Sequence, residues 1–98
     1  MVSQHKLKIS DKVRDLIRHL HPELKQKIRT ALSEIMDNPS CGKSLCGELE
    51  GMRSFRVGRL RLIYRSNPDV IEIVAIGPRR SIYEETLRLI KKESRKNL

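Results

Sequence analysis

The sequence is poor in aromatic residues, in cysteine and in long apolar stretches. Its 98 residues include no tryptophan, one phenylalanine and two tyrosines, and 38% are hydrophobic. A chain of this length forms one domain and buries only about 60–65% of the surface that its unfolded form exposes. We therefore expect a single domain over residues 1–98 with a small core and modest stability, to which a bound partner chain could add.

The two cysteines, Cys41 and Cys46, are too few for a zinc-finger type of site, which needs about four ligands at set spacings. The histidines His5, His19 and His21 lie far from them in the sequence. A disulfide between the two cysteines would close a very small loop, so two free thiols in a reducing compartment are the simpler interpretation. We expect no metal site and no cofactor.

Long apolar runs are also missing. None approaches the ~20 residues that span a bilayer, and the N-terminal segment Met-Val-Ser-Gln-His-Lys contains no hydrophobic signal region. These features predict a cytoplasmic protein with no membrane contact.

Positive charge is abundant. Lysine and arginine together number 21 against 12 aspartates and glutamates, which gives a formal net charge of +9. Such a charge on so short a chain favours a polyanionic partner, most simply nucleic acid or the ribosome. The alternative is a basic protein without such a partner.

The apolar spacing predicts the element order strand, helix, helix, strand, strand, strand, helix. A strand over residues 6–10 directs Leu7 and Ile9 inward. Ser10 caps the first helix, and Pro22 starts the second, which ends at residues 37–39. The apolar stripes of the two helices are Val13, Leu16, Ile17 and Leu20 in the first and Leu24, Ile28, Ala31, Leu32 and Ile35 in the second. The basic residues on their opposite faces, interpreted as a solvated surface, are Lys12, Arg14, Arg18, Lys25, Lys27 and Arg29.

Residues 40–54 are predicted to form a loop that Leu45, Leu49 and Met52 attach to the core. Strands follow over 55–57, 59–65 and 70–76, and a helix over 81–92 leads into a frayed tail at 93–98. Strands joined by short turns are antiparallel. The predicted fold is therefore an α+β domain, a small antiparallel sheet with the helical hairpin on one face.

Arginines dominate one predicted face of this sheet. Because side chains alternate along a strand, Arg56 and Arg61 lie opposite the helical hairpin, with Arg59 and Arg65 beside them. Arginine binds phosphate well because its guanidinium donates two parallel hydrogen bonds. The pattern is consistent either with a phosphodiester site or with a solvated arginine face.

Two more arginines, Arg79 and Arg80, start the last helix, where cations oppose the helix dipole. A bound phosphate would relieve that conflict. Tyr83 follows one turn later, at a spacing that also suits a core residue packed with Leu87 and Ile90.

The motifs Leu49-Glu-Gly51, Arg56-Val-Gly-Arg-Leu-Arg-Leu-Ile-Tyr64 and Ile76-Gly-Pro-Arg-Arg-Ser-Ile-Tyr83 resemble the RelE/ParE toxin superfamily. In RelE-type members, the resemblance implies metal-independent cleavage of mRNA in the ribosomal A site, in which the RNA 2′-hydroxyl attacks the adjacent phosphate. It also implies neutralisation by a cognate antitoxin, whose acidic segment would cover the basic surface and displace the terminal helix, and contact with operator DNA only through that complex.

Carried over by position, the resemblance gives each site residue a role. Arg61 would stabilise the phosphorane, and Arg79 would bind the same phosphate or help to protonate the leaving oxygen. Tyr83 would stack on the base, orient it or help to activate the hydroxyl. Further candidates for RNA or phosphate binding are Arg56, Arg59, Arg65 and Arg80.

This sequence departs from many relatives by having Pro78 and Gly58 where those proteins carry basic residues. No histidine or glutamate is predicted at the site, so the sequence identifies no proton-transfer group. Two alternatives stay open: a ParE-like inhibitor of DNA gyrase, and a non-catalytic partner of the antitoxin and its operator DNA.

Overall fold

The computed structural model describes residues 6–96, with side chains up to Glu93. The strands are β1 (Lys6–Ile9), β2 (Lys43–Ser44), β3 (Arg53–Val57), β4 (Leu60–Ser66) and β5 (Val70–Pro78). The helices are α1 (Asp11–Arg18), α2 (Pro22–Asp37) and α3 (Arg79–Lys96). Local signals explain several of these bounds. For example, the Ser10 hydroxyl accepts a hydrogen bond of 3.2 Å from the Val13 amide at the start of α1.

The strands form one sheet in the order β1-β5-β4-β3-β2. The pairs β2–β3, β3–β4 and β4–β5 are antiparallel, as the short turns predict. β1 pairs with β5 in parallel, so the sheet is mixed and not wholly antiparallel. No short turn joins these two strands, and their relative direction is therefore free of that constraint. β2 lies inside the predicted loop, and its two residues are too few to show the alternation of polar and apolar side chains that identifies a strand.

The predicted α+β architecture is confirmed, with helices on both faces of the sheet. On one face, α1 packs on β5 and α2 packs on β3. The buried residues of this layer are Val13, Ile28, Ala31, Ile35, Val57, Leu62, Tyr64, Ile71, Ile73 and Ile76. On the other face, α3 covers β4 and β5 over a smaller cluster that contains Met52, Ile63, Ala75 and Ile82.

Two residues predicted to point inward are exposed instead. Leu7 is 38% exposed and Leu16 is 41% exposed. Leu7 lies on the edge strand β1, and Leu16 lies at the border of the apolar stripe of α1, so neither reaches the centre of the layer. Ile9 and Ile17 do pack against the core, as predicted.

α3 begins at Arg79 and extends through Lys96, so it is longer at both ends than the predicted helix over 81–92. The frayed tail at 93–98 stays a prediction. Glu93 lies 3.4 Å from the Arg65 guanidinium of β4, which ties the end of this helix to the sheet. Residues 97–98 lie outside the described part of the chain, as do residues 1–5, which include His5.

The chain between α2 and β2 is fixed by Tyr64, which is fully buried. Its hydroxyl donates a hydrogen bond of 2.7 Å to the Pro39 carbonyl and accepts one of 2.9 Å from the Gly42 amide. Burial raises the pKa of Tyr64, although the hydrogen bond from Gly42 opposes the shift. A side chain on Gly42 would place its Cβ 2.6 Å from the Tyr64 hydroxyl, so only glycine fits this contact.

Candidate functional site

Arg56 and Arg61 are direct neighbours across the β3–β4 hairpin. Its loop is Gly58-Arg59, and the positive φ of Gly58, +61°, at the first loop position matches a type II′ turn. The pair that closes such a loop is hydrogen-bonded, so the next pair, Arg56 and Arg61, is not. Cα atoms of such a pair lie only about 4.5 Å apart. Two like charges are thus held side by side on one sheet face, which is unfavourable without an anion.

Arg61 is half-buried, whereas Arg56 is exposed and its Nε donates a hydrogen bond of 3.3 Å to the Gly58 carbonyl. Arg61 lies two residues before Ile63, which packs under α3. Both arginines therefore leave the sheet on the α3 face, opposite the helical hairpin, as the alternation predicts.

The junction of β5 and α3 places Arg79 and Arg80 at the same end of the sheet as Arg61. Gly77 pairs with Arg61 across β4 and β5. β5 ends at Pro78 and α3 begins at Arg79, with no intervening loop. Arg79 and Arg80 are both exposed, and the first turn of α3 contains no acidic residue. Two cations thus stand at the positive end of the helix dipole.

Tyr83 connects this helix to the hairpin. Its hydroxyl donates a hydrogen bond of 3.3 Å to the Ser54 hydroxyl of β3. Its half-buried ring packs against the cluster that contains Ile63 and Ile82. Tyr83 is therefore a packing residue, as its spacing with Ile90 suggests, whose hydroxyl also links α3 to β3.

The structure does not bring Arg65 to this group. It lies four residues along β4 from Arg61, about 13 Å at the usual rise of a strand. Its Nε lies 2.6 Å from a Glu72 carboxylate oxygen, and Glu93 lies near its other nitrogen. The Glu72 hydrogen bond, together with the charge of both carboxylates, raises the pKa of Arg65. Arg59 lies in the hairpin turn and is exposed at the rim of the site.

The arginines near the β3–β4 turn and at the start of α3 form no ion pair with a described carboxylate. The ion pairs within the described side chains join Arg18 to Asp15, Arg65 to Glu72 and Glu93, and Lys91 to Glu48. None involves Arg56, Arg61, Arg79 or Arg80. We refer to these four arginines, together with Tyr83, as the arginine site.

Sequence reasoning missed two residues beside the arginine site. Ser54 is buried in β3 below Tyr83. Glu85 reaches back along α3, and one of its carboxylate oxygens lies 3.8 Å from the position that a Gly77 Cβ would occupy. Glu85 is therefore a carboxylate close to the arginine site that the sequence did not predict. The spacing of three residues between Ile82 and Glu85, on one helix face, is the signal that could have placed it.

Cys41 and Cys46 are free and exposed. No group of three or more potential metal ligands occurs within residues 6–96. In the same range, no helix combines the length and apolar character needed to cross a bilayer.

Comparison with known proteins identifies the family. The sequence profile described as "ParE toxin of type II toxin-antitoxin system, parDE" matches residues 4–83. A chain of the toxin–antitoxin complex RelBE2 from Mycobacterium tuberculosis is 26% identical. That match covers 81% of this chain and 94% of the other, with a TM-score of 0.66. A search of curated proteins found no match.

Other solved structures share the fold at lower identity. A mutant of Escherichia coli toxin RelE in the free state is 16% identical, covers 92% of this chain and 97% of its own, and has a TM-score of 0.72. The RelE–RelB complex from Pyrococcus horikoshii is 21% identical, with coverage of 78% and 96% and a TM-score of 0.64. The profile match extends over most of the chain and agrees with the motifs around Arg61 and Arg79. The chain therefore belongs to the ParE toxin family of type II toxin–antitoxin systems, within the RelE/ParE superfamily.

Proposed function

We propose that this toxin is a RelE-type endoribonuclease that cuts mRNA in the ribosomal A site and thereby stops translation. The observation that supports the proposal is the grouping of four arginines at the arginine site, none of which forms an ion pair among the described side chains. Arg56 and Arg61 form an adjacent pair on the sheet, while Arg79 and Tyr83 lie at the start of the helix above it. This arrangement suits a phosphodiester with a neighbouring base.

In the proposed reaction, the 2′-oxygen of RNA bonds to the adjacent phosphorus and the bond from phosphorus to the 5′-oxygen breaks. The products are a 2′,3′-cyclic phosphate and a 5′-hydroxyl. Negative charge grows on the non-bridging oxygens in the transition state. Arg61, which is half-buried and thus held firmly, donates hydrogen bonds to these oxygens, and Arg79 contributes the second cation.

The reaction must also move two protons, one from the attacking hydroxyl and one to the leaving oxygen. Arginine is a poor proton-transfer group because its side chain stays protonated at physiological pH. We assign these transfers to ribosomal groups, which accounts for a requirement for the ribosome. Purified toxin is then expected to cut mRNA on ribosomes and to leave the same RNA intact in their absence.

The proposed antitoxin surface is a groove of about 340 Å³ between α1 and α2. Its floor is apolar, with Ile17 and Ile28 at the centre, and its rim carries the cations Arg14, Arg18, Lys25 and Arg29. Arg18 forms an exposed ion pair of 3.6 Å with Asp15. An acidic amphipathic segment would place apolar residues on the floor and carboxylates on the rim. Arg14, Arg18 and Arg29 are exposed in the free chain, as expected for a solvated face, and the proposed antitoxin would cover them.

The second candidate function is inhibition of DNA gyrase without RNA cleavage, and the match to a ParE profile favours it. Induced expression followed by primer extension on a reporter mRNA separates the two. Growth arrest with codon-positioned cuts, lost in Arg61→Ala and Arg79→Ala, supports the nuclease. Arrest without cuts but with gyrase-dependent DNA breaks overturns it. No arrest by either route indicates a non-catalytic partner of the antitoxin, which reaches operator DNA through their complex.

A further inference from the structure

We propose that Ser54 is a positioning residue that fixes the Tyr83 ring as a stacking surface for an RNA base. This inference rests on the proposed nuclease function and deepens it, since it selects stacking among the roles open to Tyr83. Ser54 does not touch the reacting atoms and acts only through Tyr83.

Ser54 is an unusual residue for its place. It is 2% exposed and lies on β3, between β4 and the edge strand β2, beneath an apolar cluster. Thr86 is the other buried serine or threonine among the described residues, and it donates a hydrogen bond of 2.7 Å to the Ile82 carbonyl within its own helix. The Ser54 hydroxyl instead accepts a hydrogen bond from a different element, at the Tyr83 phenol.

The geometry gives this contact a consequence for the arginine site. Tyr83 belongs to α3, which packs on β4 and β5. Because its hydroxyl bonds to β3, the ring extends across β4. Ser54 and Arg56 share one face of β3 and are two residues apart, about 7 Å along the strand. The hydrogen bond therefore fixes the far end of the ring beside the Arg56–Arg61 pair.

A ring held at both ends is preorganised for stacking. Its Cβ is fixed by the helix, its phenol by Ser54, and part of its surface by the apolar cluster. An RNA base could then stack on the exposed part without first ordering the side chain, which lowers the cost of binding. A phenol that is donating its proton to Ser54 is also occupied, which disfavours its use in proton transfer.

A double-mutant cycle tests the proposal in ribosome-dependent cleavage of a reporter mRNA. Ser54→Ala and Tyr83→Phe each remove one partner of the hydrogen bond, and each is expected to raise KM about three- to tenfold, with kcat changed less. The double variant is expected to show no further rise. Ser54→Thr keeps a hydroxyl, so its KM should stay close to the wild-type value.

Thr86→Ala is the matched control, because it removes a buried hydroxyl that does not reach the arginine site. It is expected to lower thermal stability and leave KM unchanged. Effects of Ser54→Ala and Tyr83→Phe that multiply in the double variant overturn the proposal, as does an unchanged KM in Ser54→Ala.

A second measurement is independent of nuclease activity. The chain contains two tyrosines, so selectively labelled tyrosine gives a simple NMR spectrum in which Tyr83→Phe assigns the signals. In Ser54→Ala the Tyr83 ring should move more freely, so its signals should change in chemical shift and the two sides of the ring should become equivalent by fast rotation. The Tyr64 signals should stay in place. Unchanged Tyr83 signals in Ser54→Ala would overturn the proposal that Ser54 positions the ring. If wild-type toxin cuts no RNA on ribosomes, the nuclease function itself fails, whatever these spectra show.

Discussion

Arg61 lies directly opposite Gly77 across the β4–β5 ladder, and Ile82 of α3 covers the place where a Gly77 side chain would be. A Cβ on Gly77 would lie 3.1 Å from the Ile82 Cδ1 atom. The glycine therefore permits close contact between α3 and the end of β5. This contact sets the distance between the sheet arginines and the helix residues of the arginine site.

Gly77→Ala should destabilise the fold by about 1 kcal/mol, since overpacking forces Ile82 and the start of α3 away from the sheet. Ribosome-dependent cleavage should fall further than the loss of folded protein explains. Urea denaturation gives the first quantity, and cleavage per folded molecule gives the second. A variant with wild-type stability and activity would show that the helix start tolerates the extra methyl group.

Arg61→Ala should reduce cleavage by roughly 10²–10³-fold, because it removes the arginine that we propose as a donor to the developing phosphorane charge. Arg61→Lys keeps the charge and loses the two-pronged geometry, so it should recover only a small part of the activity. Single-turnover cleavage on programmed ribosomes measures both.

Arg65→Ala is the matched control for this experiment, since it removes an arginine from the same strand. Its partners are Glu72 and Glu93, and it lies away from the arginine site. Cleavage per folded molecule should stay near the wild-type level. Equal losses in Arg61→Ala and Arg65→Ala would indicate a general effect of charge and contradict a localised site.

Tyr64→Phe should lower the free energy of unfolding by about 1–3 kcal/mol, because the Gly42 amide and the Pro39 carbonyl lose their buried partner. The arginine site should keep its activity per folded molecule. Chemical denaturation near neutral pH measures the loss.

The pH dependence of stability gives a second test of Tyr64. Burial raises its pKa above the ordinary value of 10.0, so the unfolded state releases this proton more readily than the folded state. The contribution is fully present below pH 10 and is lost as pH rises through the folded-state pKa. The decline of stability above pH 10 should be shallower in Tyr64→Phe than in wild type. Parallel declines in the two proteins would show that Tyr64 ionises alike in both states.

Charge reversal in the α1–α2 groove should weaken antitoxin binding. Arg14→Glu combined with Arg29→Glu is expected to slow association and reduce its salt dependence, because both cations lie on the rim. Lys12→Glu combined with Lys27→Glu changes the net charge equally, outside this groove, and should retain more of the association rate. Stopped-flow mixing with the cognate antitoxin compares the pairs. Similar rates for both would argue for a nonspecific effect of net charge.

Local patterns in the sequence were sufficient for several features of this fold. Ser10 caps α1, Pro22 starts α2, and alternation in β4 separates Arg61 from Leu62. Each of these depends on hydrogen bonds or side-chain directions within a few residues. The face shared by Arg56 and Arg61 was predictable for the same reason, because a two-residue hairpin fixes its own register.

Features that depend on distant packing were not predictable in this way. Nothing near Leu7 indicates that β1 would be an edge strand, and nothing near Arg65 indicates that Glu93 lies beside it. The position of Glu85 near Gly77 and the hydrogen bond between Tyr83 and Ser54 depend on how α3 crosses the sheet. That crossing is a property of the whole second layer, and no period in a single segment encodes it.

The arginine site has two parts, which meet where β5 passes directly into α3. One part is held within the sheet and the other is carried by the helix. Arg56 and Arg61 belong to strands held by hydrogen bonds within the sheet, whereas Tyr83 belongs to a helix near the end of the chain. If that helix were lifted from the sheet, the pair of arginines would remain and the ring would leave. Such a toxin would still attract phosphate but would have lost its means of holding the adjoining base, so capture of RNA and its alignment for cutting would be separable.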